Sequence, residues 1–323
     1  METVISTNDF SLAKQYLEAN EVVAFHTETV YGLGANAFSD EAVQKIFALK
    51  GRPSDNPLIV HVHKDYEISK LIDREPPYAA ALRASFLPGP LTMVYPSTGK
   101  VSKFVSCGLN TLAIRVPRSP TAQALLKEAD LPVAAPSANL SKHVSPVTAA
   151  HVYEDFHGNI PLILDGGACQ GGIESTVLDC TESVPRILRE GLITREMIAK
   201  VAGACEVYEM TEGEKPRSPG MAYKHYSPRC KTAFCLNIEE AVRIYQEEEG
   251  TAYFLCESET AQKLKDYRVL DLGATGEEMA QRLYALLREG EKRATLLIAI
   301  QPTKKDGVMA GVLNRLYRAF GVK

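Results

Sequence analysis

The sequence predicts an α/β protein in two parts. A mixed, twisted sheet with helices outside it comes first, and a smaller βα-alternating, Rossmann-like domain follows. Three observations carry this. The chain has 323 residues, more than one domain usually holds. Up to about residue 203, short apolar strands outnumber clean β-to-α alternations, so a tidy doubly wound array is not expected. After about residue 230 the pattern becomes regular strand-then-helix alternation. Between the two lies a stretch ending in GEKPRSPGMAYKHYSPRC, rich in Pro, Gly, Ser and Lys and without an apolar period. The expected division is 1–205, a linker or lid at 206–230, and a small α/β domain at 231–323.

Taken in order, residues 9–20 read as an amphipathic helix, with Phe10, Leu12, Ala13, Tyr16 and Leu17 on one side. Residues 22–25 form a buried strand that breaks into the polar turn Thr27-Glu28-Thr29. Gly32 and Gly34 mark backbone that approaches a neighbour or turns through positive φ. Ser39-Asp40-Glu41 caps a helix that delivers Lys50 and Arg52 to what reads as a solvated end, just before the turn Pro53-Ser54-Asp55-Asn56-Pro57. A strand at 58–62 carries His61, and 66–87 is helical with a break at Pro76-Pro77. Strands follow at 91–95 and 111–116, the second holding Arg115. A capped helix at 119–129 precedes a strand at 131–135 that runs into Pro136-Ser137-Ala138-Asn139. Helices at 147–156 and 193–201 enclose strands at 162–164, 175–178 and 186–188. Downstream, strands at 232–236, 252–256, 269–272 and 295–300 alternate with helices at 239–248, 260–267, 277–289 and 308–320, the pattern of a small parallel sheet.

Composition narrows the class. Apolar residues make up 45% and charged residues 24%, as in an ordinary globular protein. A net charge of −4 argues against a protein that lives on duplex nucleic acid, and any RNA contact is expected to be weak or transient. Seven cysteines, odd in number and without a CxxC pair, point to free thiols in a reducing cytosol. Cys230, Cys235 and His225 are poorly spaced for zinc, and no metal-binding residues are expected. The N-terminus lacks a signal pattern and no apolar run reaches the length of a membrane span. The expectation is a soluble cytoplasmic protein with no membrane contact.

Several stretches carry chemistry. Lys50 and Arg52 either complement a helix C-terminus or form an anion site, since arginine grips oxyanions with two N–H groups and lysine acts as a point charge. The Ser137-Ala138-Asn139 turn leaves a strand with a hydroxyl, an amide and backbone N–H groups. Arg115 lies inside an apolar strand, so it is either paired structurally or aimed at an anionic ligand. The run 165–172 lacks both the P-loop ending and the dinucleotide-fold spacing, and reads as a flexible turn before Glu174-Ser175-Thr176. Arg189 stands at another strand end. No paired carboxylates and no Ser/His/Asp or Cys nucleophile stand out, which suits a reaction run by positioning and charge stabilisation.

HTETVYGLG, the tetrad Lys50-Gly51-Arg52-Pro53 and DNPLIVH resemble the signature of the YrdC-like domain, the threonylcarbamoyl-AMP synthase family. The PSAN run with Ser145-Pro146 and the EST run match it as well, and SPGMAYKHYSP resembles the longer, two-domain members. The chain departs from the pattern at His26, where the family commonly has proline. The resemblance covers about residues 8–203 and resumes in the linker. It implies a YrdC-like catalytic domain that condenses ATP, L-threonine and bicarbonate (or CO2) to threonylcarbamoyl-AMP and pyrophosphate. Mg2+ accompanies the phosphates, and the product passes to the tRNA threonylcarbamoyltransferase machinery. It implies catalytic roles for Lys50 and Arg52, and threonine contacts at Thr27, His61, Arg115, Ala135 and Ser175. Nucleotide contacts fall at Lys50, Ser54, Thr111, Ser137, Ser145, Arg189, Gly220, Tyr223 and His225. In the longer members the segment matching Gly220 and residues 223–226 lies over the cleft, so a lid is expected there. Two rivals remain: an RNA-binding module using the same basic cleft, and another ATP-dependent acyl-adenylating enzyme, which would not need bicarbonate.

Overall fold

The computed structural model describes residues 2–208 and 226–322. The first unit begins β1 (Val4–Ser6), α1 (Phe10–Glu18), β2 (Val23–Phe25), β3 (Gly32–Asn36), α2 (Asp40–Lys50) and β4 (Ile59–His61). It continues with α3 (Ala79–Phe86), β5 (Leu91–Pro96), α4 (Lys103–Ser106), β6 (Thr111–Arg115), α5 (Pro120–Ala129) and β7 (Val133–Ala134). It closes with α6 (Ala149–Phe156), β8 (Leu162–Leu164), β9 (Thr176–Asp179), β10 (Arg186–Arg189), α7 (Arg195–Ala202) and β11 (Glu206–Val207). The second unit holds β12 (Lys231–Cys235), α8 (Ile238–Glu247), β13 (Ala252–Cys256), α9 (Ser258–Lys263), β14 (Val269–Asp271), α10 (Gly276–Arg293), β15 (Leu296–Ile300) and α11 (Val308–Phe320).

Among the described residues, the strands of the first unit make one 11-stranded sheet in the order β1-β8-β2-β3-β7-β4-β6-β5-β9-β10-β11. It is mixed: β4 and β6 pair in parallel, while β3 with β7 and β5 with β6 pair antiparallel. The second unit is a parallel four-stranded sheet in the order β12-β15-β13-β14. Both sheets agree with the expected α/β class.

Local chemistry explains where elements start and stop. Ser39 caps α2 by accepting from the Ala42 N–H, and Gly51 ends it in the left-handed region. Gly32 and Gly34 lie within β3, not in a turn, and face the Phe25 ring. A Cβ at Gly34 would stand 2.8 Å from both Phe25 and Val133, so close approach decides that glycine. Other differences from the sequence reading are short elements. β1 and β11 extend the sheet at its edges, and the strand expected at 131–135 shrinks to the two residues of β7. Residues 66–87 hold a 3-10 turn at Ile68–Lys70 and then α3. Such pieces are set by sheet neighbours more than by their own pattern.

The two units share a core. One hydrophobic cluster contains Val43, Ile46, Val60, Ile114, Ile173 and Ile193 of the first unit together with Leu283, Leu287, Val312 and Leu316 of the second. α1 and α5 cover a separate cluster on Phe25, Leu125, Val133 and Leu164. α10 and α11 therefore pack against the first unit while they also cover one face of the second sheet through Leu270 and Leu297.

Candidate active site

A cleft opens over the middle of the large sheet. Its floor comes from β3, β4 and β6 and from the segment leaving β7, with Gly32, Ile59, His61, Arg115 and Ala135 all bordering it. Register puts His61 opposite Arg115. Alternation along β4 sends Ile59 and His61 to the same face.

Lys50 enters the cleft from the end of α2. That end is not solvated: Lys50 is buried, and its ammonium donates to the Ser137 and Asn139 carbonyls. The Ser141 N–H returns a bond to the Lys50 carbonyl at 2.9 Å, so α2 and the PSAN turn brace each other. Burial, with the Arg52 charge beside it, holds the Lys50 ammonium well below the usual lysine range. Arg52 donates to the Asn56 carbonyl at 3.1 Å and the Pro57 carbonyl at 2.9 Å, which fixes the turn 53–57. Burial lowers its own pKa to about 10.

On the other wall, Arg115 donates to Glu28 and to the Thr29 hydroxyl, each at 2.8 Å. The Thr27 hydroxyl donates to the Val30 carbonyl at 2.6 Å, so its 2.9 Å bond with Thr29 has Thr29 as donor. A directed chain thus runs from Arg115 through Thr29 to Thr27. His61 is buried, and burial with the nearby Arg115 charge lowers its pKa to about 3, so its imidazole is neutral at ordinary pH. Arg189 donates to the Ser175 carbonyl at 3.0 Å and to its hydroxyl at 3.3 Å. Ser175 also meets Thr92 at 2.7 Å. Ser145 donates to Glu174 at 2.7 Å. Burial opposes ionisation of Glu174, yet the Arg315 and Arg189 charges and the Ser145 and Tyr284 hydroxyls outweigh it and hold its pKa at about 2.

Comparison with known proteins places this arrangement. A profile for the Sua5, YciO and YrdC group, described as telomere recombination, matches residues 15–191. A second profile, described as the threonylcarbamoyl-AMP synthase C-terminal domain, matches residues 193–321. Threonylcarbamoyl-AMP synthase of Bacillus subtilis is 42% identical, over 98% of this chain and 95% of its own. The Pyrococcus abyssi protein of the same name is 38% identical, over 97% of this chain and 94% of its own. This chain belongs to the threonylcarbamoyl-AMP synthase family. The crystal structure of P. abyssi Sua5 complexed with L-threonine superposes with a TM-score of 0.90 at 35% identity, covering 99% of this chain and 97% of that one.

Within this threonylcarbamoyl-AMP synthase family member, the cleft brings together most of the residues expected at a site. Thr27, Lys50, Arg52, His61, Arg115, Ala135, Ser137, Ser145, Ser175 and Arg189 all border it. Arg115 takes the structurally paired option while still lining the cleft. Two expected residues are not brought in. Ser54 is exposed on the turn beyond Pro53. Thr111 shares a strand face with Arg115 but lies four residues, about 13 Å, along β6. Ala113 stands between them, and Thr111 borders a separate groove with Asn110, Asp179 and Thr181. Gly220, Tyr223 and His225, and with them most of the expected lid, lie outside the described residues.

The cleft also holds residues that sequence reasoning did not select. Asn56 and Asn139 border it, are buried, and leave Oδ1 without a partner among the described residues. The Asn139 amide was visible in the PSAN turn as a possible site group and Asn56 was not, and a buried amide oxygen without a partner at a cleft is a signal only coordinates supply. Glu174 was missed because its partners come from residues 284 and 315, whereas Tyr226, the last residue of the expected lid, borders the cleft and stacks on Tyr284. His26, in the proline position, donates its N–H to the Leu164 carbonyl at 3.2 Å and meets the Ser119 hydroxyl at 2.7 Å. A proline would lack the first of these bonds.

Mg2+ does not find a cage in this cleft among the described residues. Among the described residues no group of three or more His, Cys, Asp or Glu side chains could hold a metal. Glu174, which lines the cleft, and Glu28, which pairs with the lining Arg115, are both held by arginines.

Proposed function

We propose that this chain makes threonylcarbamoyl-AMP and pyrophosphate from L-threonine, bicarbonate or CO2, and ATP, supplying the tRNA threonylcarbamoyltransferase machinery. The observation that carries this reading is the convergence of Lys50, Arg52 and Arg189 with neutral His61 and the Thr27 and Ser175 hydroxyls in one buried cleft. The threonine ammonium gives up one proton to water, its lone pair attacks CO2, and the adduct loses a second proton to water to leave a carbamate. A carbamate oxygen then attacks the α-phosphorus in line, and the P–O bond to pyrophosphate breaks. Lys50, Arg52 and Arg189 spread the phosphate charge, while Thr27, His61, Arg115, Ala135 and Ser175 hold threonine, and Ser137 and Ser145 contact the nucleotide. Mg2+ would enter as part of the ATP substrate, where it would offset phosphate charge, since Glu28 and Glu174 are held by arginines.

We place the reaction in the cytoplasm. Support comes from seven free cysteines, and from the lack, among the described residues, of any helix long and apolar enough to cross a membrane. Pyrophosphate release is expected to require threonine and bicarbonate together. Equal release from threonine and ATP in bicarbonate-depleted buffer would replace this reading with simple aminoacyl adenylation.

A further inference from the structure

Glu174 borders the cleft, yet two of its three hydrogen-bond donors among the described residues belong to the second unit. The Tyr284 hydroxyl on α10 donates to Oε2 at 2.8 Å, and Arg315 Nε on α11 donates to the same oxygen at 3.0 Å. Ser145 takes the other oxygen, Oε1, at 2.7 Å. Arg315 is wholly buried and also donates to the Glu190 carbonyl. Tyr284 stacks on Tyr226, which borders the cleft, at 5.3 Å between ring centroids. A buried ion pair is a poor route to stability, because apolar side chains of similar volume usually do as well. An ionised carboxylate only accepts hydrogen bonds, so the Ser145 hydrogen is committed to Glu174. The Ser145 oxygen then meets a ligand with lone pairs alone. It cannot donate to phosphate oxygens, which are themselves acceptors. Its natural partner is a donor: a ribose hydroxyl or the adenine amino group.

We propose that Tyr284 and Arg315 are positioning residues for nucleotide binding: they fix Glu174, which fixes Ser145 as an acceptor for the nucleoside part of ATP. The inference rests on the function proposed above and gives the second unit a part in substrate recognition.

The test uses the full chain, with ATP and inorganic tripolyphosphate as probes in calorimetric titrations. Tyr284→Phe keeps the ring and removes one bond to Glu174. It is expected to weaken ATP binding about 3- to 10-fold, the worth of one hydrogen bond. It should leave tripolyphosphate binding unchanged, and raise the KM for ATP with little change in kcat. In a Ser145→Ala background the same change should add nothing, because both act through one hydroxyl. Unchanged ATP affinity with a lowered melting midpoint would overturn the proposal in favour of a packing role. So would equal weakening of ATP and tripolyphosphate, or additive losses in the double variant. If Tyr284→Phe fails to fold, Arg315→Lys, which retains a charge for Glu174, is read the same way. Wild-type chain that binds ATP but releases no pyrophosphate overturns the proposed reaction, while the binding comparison still decides this one.

Discussion

Lys50 is a lysine held where its charge is costly until an anion arrives. The ammonium is buried, Arg52 is close by, and its two bonds go to neutral carbonyls. Its pKa therefore lies well below the usual range in the free protein, and a triphosphate bound beside it is expected to raise it again. The sign follows. At alkaline pH, where ATP is already fully ionised, ATP binding is expected to take up protons from the buffer. Calorimetry in buffers of different ionisation enthalpy measures this, and zero uptake or net release would refute it. The Lys50–Arg52 pair was legible as a candidate anion site from residue type and spacing. Its burial was not, because the lid on that helix end is the PSAN turn, 87 residues away in sequence for the Ser137 carbonyl.

Elements were most legible where their ends carry local chemistry. Ser39 and Ser119 mark helix starts that the sequence states directly, while the Thr275–Glu278 capping box sets the start of α10 one residue before the expected 277. The glycine-rich run 165–172 was legible only as a turn. Its last residue, Gly172, adopts φ +71° and lies against α10, where a Cβ would collide with the Ala280 carbonyl oxygen and the Gln281 backbone. Gly172 is a contact point for a helix more than 100 residues downstream, which no local pattern could disclose. Gly51 has φ +58° and nothing within 4 Å of its would-be Cβ. Both Gly→Ala changes carry the left-handed penalty of about 1–2 kcal/mol. Gly172→Ala should cost clearly more, because backbone on both sides must move. Thermal unfolding of the two variants separates the terms, and equal losses would show that α10 yields freely at that contact.

At the scale of the whole molecule, the change of pattern near residue 230 foretold two sheets but not how firmly they are joined. Gly191 lies against Gly311 of α11, where a Cβ on Gly311 would stand 3.2 Å from the Gly191 Cα. Arg288 of α10 reaches Asp155 of α6 at 2.6 Å and the Val144 carbonyl, next to Ser145, at 2.7 Å. With Glu174 and Arg315, these contacts surround a hydrophobic cluster drawn from both units. A linker rich in proline and glycine suggests independent domains, but the apolar faces of α10 and α11 have one partner each way and cannot be satisfied by the second sheet alone. The full chain is therefore expected to unfold in a single calorimetric transition. A chain ending at residue 208 leaves Ile173, Ile193 and the Glu174 carboxylate without their cover. Each of the two isoleucines is worth roughly 1.5–3 kcal/mol of burial, so its melting midpoint should fall by about 10 °C or more, with ATP binding weakened in step. Two well-separated transitions in the full chain, the first matching the midpoint of the truncated chain, would show instead that the units fold independently and merely touch.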